Sequence, residues 1–167
     1  NARGSGKGAT GIGTASQATA QQATAIGMHS AATGKNSTAI GSGGNTPATA
    51  TKATADGAIA IGGNSVQGSQ ATGKNAIAIG GESSASVDNA VAIGAGSKST
   101  HSNSVALGVN SVADGANIGN EAWKPKDVAG NPIAVAGTAT GEVSIGKAGS
   151  KRRLTNVAAG SADTDGV

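Results

Sequence analysis

The chain is 167 residues long with a formal net charge of +3; it has no Cys, Phe or Tyr and a single Trp, while Gly alone numbers 29. This composition excludes disulfides and thiolate metal sites, and with Ile, Leu and Val together numbering 24 it also excludes a thick core of large side chains. Such a chain must either stay disordered or bury small residues in a regular array.

No apolar run reaches the roughly 18 residues that would span a bilayer as a helix, and no signal-peptide pattern is visible. Because Asn1 and Val167 both fall in mid-pattern, the expectation is a fragment of a longer protein, with any secretion signal or membrane anchor outside it. Lys and Arg are scattered until Lys151, Arg152 and Arg153, and no aromatics are interleaved with them. A nucleic-acid partner is therefore not expected.

In chain order, an apolar residue followed by Gly recurs as Ile12-Gly13, Ile26-Gly27, Ile40-Gly41, Ile61-Gly62, Ile79-Gly80, Ile93-Gly94 and Leu107-Gly108. Four of the six steps between these glycines are fourteen positions long; Gly41 to Gly62 is twenty-one and Gly62 to Gly80 is eighteen. A repeat held in one register so often points to a solenoid. The residues before each Gly alternate, as in Ala58-Ile59-Ala60-Ile61 and Ala76-Ile77-Ala78-Ile79. Period-two alternation is the strand signature. The weaker half of each unit, as in Ser83–Val87 and Asn110–Ala113, fits a second strand.

Two strands and two turns in each fourteen-residue unit make one coil of a flattened β-solenoid. About seven coils stacked about 4.8 Å apart predict a head roughly 35 Å tall. Ile26, Ile40, Ile59, Ile61, Ile77, Ile79, Val91, Ile93, Val105 and Leu107 are the expected core of the roll, with the alternating Ala on its outer face. The longer steps mark loop insertions on one face, one of them Thr46–Lys52. Helices are not expected over residues 1–118, since no apolar pattern recurs at i, i+3, i+4 and Gly interrupts every few residues.

Asn103-Ser104-Val105-Ala106-Leu107-Gly108 followed by Asn110-Ser111-Val112-Ala113 resembles the head repeat of the trimeric autotransporter adhesins, the YadA-like family. Arg153-Leu154-Thr155-Asn156-Val157-Ala158-Ala159-Gly160, continuing to Val167, resembles the neck motif of that family. The resemblance implies an all-β, left-handed parallel β-roll that forms a homotrimer and passes through a neck to a coiled-coil stalk and an outer-membrane anchor. It also implies a bacterial cell-surface adhesin, with extracellular-matrix proteins such as collagen, fibronectin and laminin, or host cells, as partners.

The expected organisation is a head over 1–118, an insertion with a final strand over 119–146, and a neck over 147–167. The insertion, with Trp123 as a packing anchor or an exposed contact residue, departs from the family pattern, as does Gly166, which stands where the family more often has Ala. Glu142–Gly146 resembles the strand that normally enters the neck.

Asn36, Ser37, Asn64, Ser65, Asn89, Asn103, Ser104, Asn110 and Ser111 are turn formers by residue type. The resemblance adds a second reading, a repeated adhesive surface. Arg152, Arg153, Leu154, Asn156, Val157, Asp163 and Asp165 are the expected neck and trimer contacts, with the two Asp pairing to Arg152 or Arg153 of a neighbouring chain. His29 and His101 fall in separate coils without an acidic partner at ligand spacing. With no Cys, no nucleophile, base and orienter assemble. No catalytic residue, metal or cofactor is assigned.

Two other functions use repeats of small residues or rows of Thr. A left-handed β-helix acyltransferase would have coils of three hexapeptides, longer than the dominant step here, and a catalytic His between subunits. An ice-binding solenoid would carry Thr at one place in every coil, whereas Thr reads as irregular along this sequence.

Overall fold

The structure, a computed structural model, describes residues 1–116, 118, 128–131 and 139–158. Among them every regular element is a short strand. Eight two-residue strands, β1 (Arg3–Gly4), β3 (Gln17–Ala18), β5 (Ala31–Ala32), β7 (Lys52–Ala53), β9 (Gln70–Ala71), β11 (Ser84–Ala85), β13 (Lys98–Ser99) and β15 (Val112–Ala113), stack in that order into one sheet. A second eight-stranded sheet holds β2 (Thr10–Ile12), β4 (Thr24–Ile26), β6 (Thr38–Ile40), β8 (Ile59–Ile61), β10 (Ile77–Ile79), β12 (Val91–Ile93), β14 (Val105–Leu107) and, last, β16 (Val143–Ser144). We call these the short-strand and long-strand sheets.

Every pairing within both sheets is parallel, and the chain alternates between them, so each coil contributes one strand to each. There are eight rungs where the glycine series gave seven. β1 precedes the first apolar-Gly pair, and β16, which pairs Val105 with Val143, adds a final rung to the long-strand sheet.

Register survives both long steps. Thr38 pairs with Ile59 across the first of them, and Ile59 with Ile77 across the second. The extra residues leave the ladder at the same corner and dock on each other. The Gly68 amide donates to Thr49 O at 2.8 Å, and the Gly44 amide to Asn64 O at 3.1 Å.

The core reverses the expected side-chain alternation. Ala25, Ala39, Ala60, Ala78, Ala92 and Ala106 from the long-strand sheet, and Ala18, Ala32, Ala53, Ala71, Ala85 and Ala113 from the short-strand sheet, are fully buried. Ile26, Ile40, Ile59, Ile61, Ile77, Ile79, Val91, Ile93 and Val105 are only half-buried in the single chain, and Leu107 is exposed. They project outward. So short a coil brings its two sheets too close for two facing layers of branched side chains, so methyl groups fill the interior and the larger residues take the outer face.

Serine completes the interior. Ser30, Ser83 and Ser97 are buried, and their hydroxyls donate to the carbonyls of Gly27, Gly80 and Gly94 at 2.9, 2.7 and 2.8 Å. Each such bond satisfies a buried polar group inside its own turn. The column of glycines that ends the long strands is a steric requirement. Gly13, Gly27, Gly41, Gly62, Gly80, Gly94 and Gly108 have φ between 106° and 128°, and a Cβ on Gly27 would lie 2.3 Å from Gly41 O of the next rung. Both the torsion and the stacking distance demand glycine.

Overpacking this core follows a simple expectation. Ala92→Leu should lower unfolding stability by at least about 1–3 kcal/mol, read from denaturant midpoints by far-UV circular dichroism. Gly27→Ala should be comparably destabilising. An unchanged midpoint for both would contradict the tight interior.

Candidate assembly and adhesive surfaces

The outer face of the long-strand sheet carries two columns of side chains. One runs Thr10, Thr24, Thr38, Ile59, Ile77, Val91, Val105, Val143; the other runs Ile12, Ile26, Ile40, Ile61, Ile79, Ile93, Leu107. Parallel, in-register pairing stacks like on like, and from β8 onward both columns are apolar. Ile12, Leu107 and Val143 are 55%, 45% and 68% exposed. A contiguous exposed apolar strip of this kind marks a contact surface.

The outer face of the short-strand sheet is polar. One column runs Arg3, Gln17, Ala31, Lys52, Gln70, Ser84, Lys98, Val112. A second is Ser5, Thr19, Thr33, Thr54, Thr72, Ser86 and Thr100, whose amides donate in turn to Ala18, Ala32, Ala53, Ala71, Ala85, Ser99 and Ala113 of the following rung. A hydroxyl therefore stands at the same place in seven successive rungs. This corrects the reading of Thr as irregular: the insertions hid the register. The neighbouring column, with long charged side chains at Arg3, Lys52 and Lys98, breaks the flat hydroxyl array that ice binding requires.

At the corner between the short and long strands, Asn36, Asn75, Asn89 and Asn103 share one column. Their φ values are 55–59°, the left-handed conformation that Asn tolerates among L residues. Asn110 takes the same conformation at the opposite corner. The Asn89 amide donates to Asn103 Oδ1 at 3.2 Å across one rung. In the same turns Asp56 Oδ1 accepts the Lys35 amide at 2.8 Å, and Asp88 Oδ1 the Lys74 amide at 2.9 Å.

The expected adhesive Asn-Ser pairs are split by this geometry. Asn36, Asn89, Asn103 and Asn110 are exposed, whereas Ser37, Ser104 and Ser111 are fully buried and cannot meet a partner. The Ser37 hydroxyl donates to Gly34 O at 2.6 Å, and the Ser111 hydroxyl to Leu107 O at 2.8 Å. Asn64 and Ser65 are exposed but belong to the docked insertion, where Asn64 Oδ1 accepts the amides of Val66 and Gln67, each at 2.8 Å. They do not align with the corner column.

At the end of the roll the chain passes beneath its own last rung. The Val112 amide donates to Gly146 O at 2.8 Å, and the Gly115 amide to Glu142 Oε1 at 2.9 Å. Arg152 then closes the edge. Its guanidinium donates to Ile145 O at 2.7 Å, to Ser111 Oγ at 3.0 Å and to Val109 O. The planar fork suits three acceptors converging from two rungs. Sequence reasoning placed Arg152 against a neighbouring chain and missed this intrachain role, which no spacing in the sequence signals.

Arg153, Leu154, Asn156 and Val157 are exposed, and Leu154 is 65% so. Asp163, Asp165 and Trp123 lie outside the described residues. His29 sits in the turn after β4 and His101 in the turn after β13, at different corners of the roll; His101 Nδ1 lies 2.9 Å from Ser102 O.

The model of the YadA head domain repeat matches residues 5–30, 29–43, 49–65, 71–97 and 102–117, more than half of the chain. The chain belongs to the YadA head-repeat family. It is a β-roll head of the trimeric autotransporter adhesin type. A crystal structure of the collagen-binding domain of the Yersinia adhesin YadA is similar at 28% identity with a TM-score of 0.59, covering 100% of this chain and 82% of that one. No curated protein sequence matches the chain significantly. In this YadA-family head the repeat carries the roll, and the match ends close to β15, where the chain turns back beneath its last rung.

The Arg152 closure has a local readout. Arg152→Ala should accelerate hydrogen exchange at the Val112 and Ser111 amides while leaving Ile61 and Ile79 protected. Equal protection at Val112 in both proteins would remove the closing role.

Proposed function

We propose that this chain is the adhesive head of a bacterial surface protein, that it works as a homotrimer, and that it attaches the cell to extracellular-matrix proteins, with collagen the first to test. The observation that carries the trimer is the outward apolar strip of the long-strand sheet. Ile59, Ile77, Val91 and Val105 stand beside Ile61, Ile79, Ile93 and Leu107, with no charge among them. Three rolls turning these strips toward a common axis would bury them. Each short-strand sheet would then face outward. Burial of that strip is worth about 25 cal/mol per Å2 of apolar area, enough to hold chains whose interiors contribute only methyl groups.

Adhesion by such a head is multivalent. Three identical faces, each with repeated rungs, turn weak single contacts into high avidity. The collagen reading is supported by the similar YadA domain, whose crystal structure is of a collagen-binding domain. Fibronectin, laminin and the host cell surface are further partners of the same reading. Residues 1–118 form the head in this scheme. Residues 119–146 are an insertion ending in the strand β16. Residues 147–167 form the neck, where Arg153, Leu154, Asn156, Val157, Asp163 and Asp165 gather the three chains. An outer-membrane anchor would lie elsewhere in the protein.

The test combines mass and binding. Sedimentation equilibrium should give three times the 15.5 kDa chain, and immobilised collagen should retain the trimer. Ile79→Glu should shift the mass toward the monomer and reduce collagen retention by about two orders of magnitude, the scale of lost avidity. Circular dichroism on the same samples separates dissociation from unfolding. A wild-type monomer, or an Ile79→Glu protein with unaltered trimer mass, would overturn the proposed assembly. A trimer that ignores collagen, fibronectin and laminin would overturn the ligand class.

A further inference from the structure

We propose that the outer face of the short-strand sheet is a docking surface for an acidic, sulfated polysaccharide lying along the roll axis. The inference rests on the reading above that this sheet faces outward, and it adds a ligand class to it. Over the seven rungs from β1 to β13, neither outward column of that face contains a carboxylate. Arg3, Lys52 and Lys98 stand on the face, and Lys7, Lys35 and Lys74 lie along the adjoining corner. Two carboxylates share that corner, Asp56 and Asp88, and each accepts a backbone amide of the preceding rung. Six cations therefore meet two acids, each with one of its two carboxylate oxygens bonded to a backbone amide.

The remaining side chains narrow the partner. Thr33, Thr54, Thr72, Ser86 and Thr100 present one exposed hydroxyl per rung. Gln17 and Gln70 add amides, although the Gln70 amide nitrogen already donates to Ala50 O at 2.6 Å. Lys52 Nζ is held to Ala48 O at 2.8 Å, which leaves two of its three protons free. No aromatic and no branched aliphatic side chain stands on the face between β1 and β13. The face therefore lacks the aromatic anchors of a protein hot spot and the stacking platforms that single-stranded nucleic acid needs.

What it offers is charge, hydroxyls and straightness. Cations two rungs apart, such as Lys35 and Lys74, lie about 10 Å from each other along the axis, and Lys52 and Lys98, three rungs apart, about 14 Å. A linear polyanion rich in hydroxyls can follow such a track with charge-assisted hydrogen bonds. A flexible polar protein segment has no comparable reason to lie along it.

The probe is immobilised heparin, with neutral dextran and duplex DNA as comparisons, at low and at physiological salt. The trimer should bind heparin and not dextran, and its retention should weaken as salt screens the face. Lys52→Gln combined with Lys98→Gln should lower heparin affinity by at least about tenfold at low salt, by analogy with cations beside an anionic surface. Lys147→Gln combined with Lys151→Gln removes the same charge away from the face and should change affinity by less than about twofold.

No heparin binding at low salt, equal losses in the two variants, or tighter retention of duplex DNA would each overturn the proposal. Sedimentation of every sample keeps the two readings apart. A monomer that binds heparin through Lys52 and Lys98 would sink the trimer and leave this surface standing. A trimer that binds collagen but not heparin would do the reverse.

Discussion

Closure of each coil within one short repeat is the constraint on which the rest of this molecule depends. Each coil must return the backbone to the same place one rung lower, so that amides and carbonyls of successive rungs pair along both sheets. Two strands of two or three residues and two tight corners leave an interior only wide enough for Ala, Ser and, beside the inserted loop, Thr51. The glycine column shows how little space remains: a single added methyl at Gly27 would press on the backbone of the next rung. Serine survives inside where its hydroxyl bonds back into its own turn, as Ser30, Ser37, Ser83 and Ser97 do, so that these buried polar groups are satisfied locally.

That narrowness decides where the hydrophobic residues go, and through them what the surface can do. With methyl groups filling the core, the Ile, Val and Leu of the long strands have only the outer face left. In-register pairing gathers them into a strip. In a thicker domain the same residues would be consumed by folding. Here the interior and the outward apolar strip are built from alternate positions of one strand, so folding leaves the larger side chains unspent. The short strands repeat the division with polar residues, which leaves a wettable sheet on the other side.

The ends and corners obey the same logic. Parallel stacking exposes an unpaired edge at the last rung, a liability in any sheet. The chain covers it with β16, with the carbonyl of Gly146 and with the guanidinium of Arg152. The corner asparagines meet the left-handed torsions that the turns impose. Their repetition is first a conformational requirement, and any adhesive role must use side chains that the turn has already oriented. The buried serines beside them are wholly committed to the interior.

The parallel solenoid, the strand-turn period, the corner asparagines and the family were legible in the sequence, because a one-dimensional repeat writes its period directly into residue spacing. Alternation in Ala76-Ile77-Ala78-Ile79 also established that the two residue types lie on opposite faces. Which face is the inside was not legible, because alternation is symmetric and the answer depends on the distance between two sheets. The hydroxyl column was hidden for a related reason. The two long steps between glycines displace Thr54 and Thr72 in sequence, while hydrogen bonding restores them to one line in space. The bonds from Arg152 to Val109 and Ser111 join residues 43 and 41 positions apart, and only the folded chain passing beneath its own last rung brings them together.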